Sequence, residues 1–98
     1  MSKRHLIESA FFDSFDELNE MLPAEKHLSK DSSTIVAGES SHLDSLMLLN
    51  LMIAVEEKLK NRISLEFSFV EFIANSKEPE ISVEMLAEHL VNNGDQRA

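Results

Sequence analysis

Between Leu46 and Val55 the chain is apolar at every position except Asn50. A helix built from such a run is apolar on nearly every side. It must be central in its bundle or carry an exposed contact face. The run is too short to cross a bilayer, and Asn50 interrupts it. Glu56, Glu57, Lys58 and Lys60 make its far end soluble. A helix is expected from Ser45 to about Lys60.

The other segments supply what such a helix would pack against. Ile7, Phe11, Phe15, Leu18 and Leu22 recur at helical spacing and predict a first helix from about Lys3 to Leu22. Pro23 should end it. From Pro23 to Leu43 the periodicity lapses. Ser29 to Thr34 read as loop, with Ile35 and Val36 pinning it to the core and Gly38-Glu39-Ser40-Ser41 giving a turn. A loop this long in a small domain is unusual unless it has a role. Ile63, Leu65 and Phe67 read as a loop that packs inward. Phe69 to Ala74 predict a short helix, and Lys77-Glu78-Pro79-Glu80 a break. Ser82 is placed to cap a last helix with Val83, Leu86, Ala87, Leu90 and Val91 as its buried stripe, stopping at Asn93-Gly94. The expected fold is all-α: an irregular four-helix bundle in a single domain, residues 1–98, with a long loop between its first two helices.

Composition narrows the function. The 98 residues carry 18 acids against nine Lys and Arg, a formal net charge of −9. That argues against nucleic acid and anionic membranes; it fits basic protein partners, but on charge alone a merely solvated surface is the preferred reading. There is no cysteine, so any thiol chemistry must come from a cofactor. His5, His27, His42 and His89 have no metal-ligand spacing, and no metal is expected. Met1-Ser2-Lys3-Arg4 is basic, but no secretory-type apolar core follows. A cytoplasmic monomer is the expectation.

Chemistry concentrates at Leu43-Asp44-Ser45-Leu46, just ahead of the apolar run. An N-cap aspartate accepts hydrogen bonds from the first free backbone N–H groups. Ser45 then points outward from a helix end that favours a phosphate. His42, three residues earlier, reads as a solvated loop histidine. Asp44-Ser45-Leu46 resembles the phosphopantetheine attachment motif of the acyl carrier protein family. The resemblance extends to the long first helix, the long loop, the apolar helix ending Glu56-Glu57-Lys58-Leu59, and Ser82-Val83-Glu84-Met85-Leu86-Ala87. It implies that a phosphopantetheinyl transferase moves 4′-phosphopantetheine from coenzyme A onto Ser45 Oγ, and that the arm then carries an acyl or aminoacyl group as a thioester. The carrier itself catalyses nothing. Asp44 has two compatible roles open to it, a plain N-cap and a carboxylate that helps position the transferase's metal ion.

The resemblance also implies that acyl- or aminoacyl-activating ligases, synthases and transferases dock on the second helix and the preceding loop. Met47 and Asn50 stand where fatty-acid carriers tend to have carboxylates. Glu39, Glu56 and Glu57 keep the acidic character. This departure favours a dedicated biosynthetic pathway, with Met47 as an adaptable apolar contact or as simple core. A peptidyl carrier of non-ribosomal peptide synthesis is the alternative within the class. A cofactor-free helical adaptor that binds through the second helix is the alternative from another class. Leu46, Met52, Phe69 and Ile73 would line any acyl-holding cavity, or are plain core.

Overall fold

The spacing of apolar residues in the first segment produces a helix, α1, over Lys3–Asn19, with Ile7, Phe11, Phe15 and Leu18 all buried. Ser2 caps it by accepting from the His5 N–H at 3.1 Å. The helix stops before Leu22 because Asn19 is used otherwise. Its amide donates to Leu28 O at 3.1 Å and accepts from the Leu28 N–H at 2.8 Å. Both backbone groups of a loop residue are thereby satisfied, and the chain is turned back. Leu22 still packs, half-buried, against the core.

The computed structural model describes residues 2–39, 41 and 43–93. After α1 come a 3₁₀ turn at Ala24–Lys26, a strand β1 (Ile35–Gly38), and helices α2 (Ser45–Ile63) and α3 (Phe69–Asn75). A strand β2 (Glu80–Ser82) and a helix α4 (Val83–Asn93) follow. Ser40, His42 and Gly94, parts of the expected turn, loop and helix stop, lie outside the described residues.

Four helices are present as expected, but the all-α expectation is corrected. β1 and β2 form a two-stranded antiparallel sheet with Ile35 opposite Ser82, Ala37 opposite Ile81 and Gly38 opposite Glu80, irregular between Ile35 and Ala37. The physical reason is the need to satisfy two backbones beside the core. Ile35, Val36 and Ile81 are β-branched and fit a pleated, half-buried surface. Val36, Ala37, Ile81 and Ser82 are buried, so their peptide groups need partners other than water. The same loop also caps α4. The Val83 N–H donates to Thr34 O at 3.1 Å and the Glu84 N–H to Ser32 O at 2.8 Å. Ser82 Oγ accepts from the Met85 N–H at 3.2 Å, the N-cap role its position predicts.

The long loop is thus tied down at Leu28, Ser32, Thr34 and β1. Asp31 Oδ1 accepts from both the backbone N–H and the hydroxyl of Ser33 at 2.8 Å. The backbone bond first, and the hydroxyl second, hold the Asp31 carboxyl below its ordinary pKa. Its small support for the loop is therefore present above the ordinary aspartate range. It is lost as pH falls through the lowered value.

α1 packs against both α2 and α4. Leu51, Val55 and Leu59 of α2, Phe69 of α3, and Val83, Leu86, Ala87 and Leu90 of α4 close the core around the α1 stripe. Phe11 meets Phe69 edge-on with ring centroids 5.6 Å apart. Leu65 is buried and Phe67 half-buried, as expected of an inward-packing connection. α2 runs past Lys60 to Ile63 and ends where Ser64 adopts a left-handed conformation (φ 55°). There the Ser64 N–H reaches Lys60 O and the Leu65 N–H reaches Leu59 O, filling two carbonyls that the helix end leaves open.

Candidate functional site

The start of α2 has the geometry its sequence foretells. Asp44 has extended backbone (φ −81°, ψ 178°), and its Oδ1 accepts from the Met47 N–H at 2.8 Å. Its carbonyl accepts the first intrahelical bond, from the Leu48 N–H at 2.9 Å. Ser45 is the first helical residue and is exposed. No acidic side chain occupies the first turn. The positive end of a 19-residue helix favours an anion attached to Ser45 Oγ, against the opposing charge of the Asp44 carboxylate beside it.

What fixes Ser45 in space is the chain before it. Ser41 Oγ donates to Val36 O at 2.9 Å and accepts from the Leu43 N–H at 3.1 Å. Leu43 packs half-buried against the core. One hydroxyl therefore ties β1 to the last residues before the cap. Replacing Asp44 with Ala removes the capping oxygen and should cost about 1 kcal/mol of stability, while Asp44→Asn should retain most of it. Urea unfolding followed by circular dichroism measures both.

The rest of α2 divides into two faces. Leu51, Val55 and Leu59 point inward. Across the helix, Leu46 is 66%, Leu49 42% and Ile53 57% exposed. At about 3.6 residues per turn these three form one stripe. Asn50 and Glu57 are exposed beside it. Met47 is half-buried and packed against the core, with the exposed Asn50 amide 4.0 Å from its sulfur. Glu56 is turned into the fold, where its Oε2 accepts from the Phe69 N–H at 3.0 Å and helps to cap α3. Glu39 is exposed just beyond β1.

The structure brings Asp44, Ser45 and Leu46 together at one helix start and leaves Asn50 and Glu57 open to a partner. Met47 and Glu56 have contacts within the chain. Leu49 and Ile53 are exposed apolar residues that the sequence pattern does not single out, because a run apolar all round does not show its inner phase. With Leu51, Val55 and Leu59 taken as the inner stripe, Leu49 and Ile53 fall on the outer side.

Leu46 is exposed, Phe69 is sealed in the core, and Met52 and Ile73 are half-buried. Among the described residues, no group of three His, Asp or Glu side chains could hold a metal ion, and no helix is long and apolar enough to cross a membrane. Compared with known proteins, the chain matches no family model, no curated protein and no solved structure.

Proposed function

We propose that this chain is a non-catalytic carrier of the acyl carrier type. Ser45 Oγ accepts 4′-phosphopantetheine from coenzyme A, and the arm then holds an acyl or aminoacyl group for a dedicated biosynthetic pathway. One observation carries the reading. Ser45 is exposed at the first position of α2, directly after an aspartate whose side chain caps that helix at 2.8 Å. The group attached there would supply a thiol that the chain itself lacks. The residues fit it. Ser45 offers an accessible hydroxyl, the helix start offers positive potential, and Asp44 uses one carboxylate oxygen for the cap. The other oxygen has no hydrogen-bond partner among the described residues. It is open to a metal ion on the transferase, so both roles of Asp44 can hold at once.

Intact mass after incubation with coenzyme A and a broad-specificity phosphopantetheinyl transferase tests this. A single phosphopantetheinyl addition is expected. No addition on the folded chain overturns the reading and leaves the cofactor-free adaptor. The exposed stripe of Leu46, Leu49 and Ile53 favours that second reading, because an adaptor also needs an unpartnered apolar face.

Under the carrier reading, partner enzymes dock on the same stripe, with Asn50, Glu57 and Glu39 at its margins. Apolar burial survives salt, while exposed charge interactions are screened. Raising salt should therefore remove only part of the affinity for the cognate ligase or synthase. Ile53→Glu should weaken binding by about tenfold or more, because it sets a charge in the middle of the buried contact. Glu57→Gln should have a smaller effect, as exposed charge pairs contribute little. Titration calorimetry at two salt concentrations measures all three. Near-complete loss in salt, with Ile53→Glu tolerated, would show docking through acids.

A further inference from the structure

Three depressions meet along α3, on a part of the surface that the Ser45 site does not use. The widest, about 580 Å³, is lined by the rings of Phe67, Phe72 and His89 and by Glu66 and Glu71. It shares Phe72 and His89 with a second depression that reaches Glu88. It shares Glu66 and Phe67 with a third that reaches Lys60, which closes the acidic stretch at its α2 end. Together they make one trough.

Two properties of the trough are unusual for this molecule. Its rings are incompletely covered. Phe11, Phe15 and Phe69 are fully buried, whereas Phe67, Phe72 and His89 are half-buried. Their mutual spacing is close, with His89 4.6 Å from Phe72 and 5.3 Å from Phe67. Its acids also outnumber Lys60, the cation among its described lining residues. The Lys and Arg ion pairs of the described residues engage Glu8, Glu84, Asp16, Glu17 and Asp13. Glu66, Glu71 and Glu88 are exposed and take part in none of them.

The partly exposed rings of Phe67 and Phe72 beside carboxylates outside those ion pairs match one side chain best. A guanidinium is planar and weakly hydrated, stacks on rings, and bonds carboxylates with two parallel N–H groups. An ammonium meets the charge but lacks the plane. An acyl chain would desolvate the carboxylates without pairing them. An anion would be repelled. We propose that the trough docks an extended, arginine-bearing segment of a partner protein. Even its α2 end, at Glu56, lies about 16 Å along the helix from Ser45, at about 1.5 Å per residue. This docking does not depend on the carrier reading.

The test uses the full ¹⁵N-labelled chain and the peptide acetyl-Arg-Ala-Arg-amide as probe, with lysine and citrulline versions as comparators. Amide shifts should concentrate between residues 66 and 76 and between residues 85 and 92. Affinity should fall about fivefold for Phe72→Leu and by at least that much for Glu66→Gln/Glu71→Gln. The lysine peptide should bind several-fold more weakly and the citrulline peptide not measurably. Glu66 and Glu71 are exposed, so the double glutamine variant keeps its fold and decides the matter if Phe72→Leu does not fold. The proposal is overturned by any of four results: no shifts at millimolar peptide, shifts spread evenly over the acids of α1, equal binding of the citrulline peptide, or unchanged affinity in the double variant.

Discussion

Ser45→Ala is expected to leave the chain folded and wholly unloaded. Ser45 is exposed, and its side chain has no hydrogen-bond partner among the described residues. Alanine is the best helix former, so the stability change should lie within about 0.5 kcal/mol. Wild-type protein treated with coenzyme A and transferase should gain one phosphopantetheinyl group, and peptide mapping should place it on Ser45. Ser45→Ala should gain none, even though other serines lie nearby. Ser41, the nearest described one, already donates its hydroxyl to Val36 O at 2.9 Å and sits outside the helix. Asp44→Asn then separates the two roles of the aspartate. Asparagine keeps a capping oxygen but has no charge to offer a metal ion. Slower loading of a stably folded Asp44→Asn assigns the carboxylate to the transfer. Loading at the wild-type rate, with Asp44→Ala merely less stable, makes Asp44 a cap alone. Unchanged modification of Ser45→Ala removes the site assignment altogether.

The helix start was legible because everything that makes it is local. Asp44 reaches the Met47 N–H within one turn, so the motif and its geometry share the same few residues. The α1 stripe was legible for a similar reason. Ile7, Phe11, Phe15 and Leu18 repeat at helical spacing and all are buried, while Leu22, the last of the expected stripe, lies beyond the helix end. The inner phase of α2 was not. A run that is apolar all round does not say which side faces the core, so Met47 and Ile53 could not be told apart until α1 and α3 were in place. Glu56 carried no signal either, since its carboxylate caps a helix thirteen residues further on. The sheet was hidden by length and distance. Strands of four and three residues show no alternation long enough to read, and their pairing joins the first loop to the last helix. Gly38 is the residue at which that pairing has left a mark in the sequence.

Gly38→Ala is therefore the second substitution with a large expected effect. Gly38 sits opposite Glu80 with φ +118°, in the region open chiefly to glycine. A Cβ there would come 2.6 Å from Pro79 O and 2.9 Å from Glu80 Cα, both backbone atoms that cannot swing aside. Holding alanine in such a conformation costs about 1–3 kcal/mol before the clash is counted. For a domain of this size each kcal/mol lowers Tm by about 4–8 °C. The strain should be relieved by parting β1 from β2. That also draws Thr34 O and Ser32 O away from the N–H groups they satisfy at the start of α4. Glu39→Ala, next in the chain but exposed, should stay within about 0.5 kcal/mol of wild type and serves as the control. Melting followed by circular dichroism measures the pair. The same break reaches Ser45 through the Ser41 bond to Val36 O. Below its own Tm, Gly38→Ala should still be loaded on Ser45, because the Asp44 cap is intact. Amide exchange should be faster for residues 35–38 and 80–84 than in wild type. Equal melting of Gly38→Ala and wild type would mean that the strands are not what holds the loop.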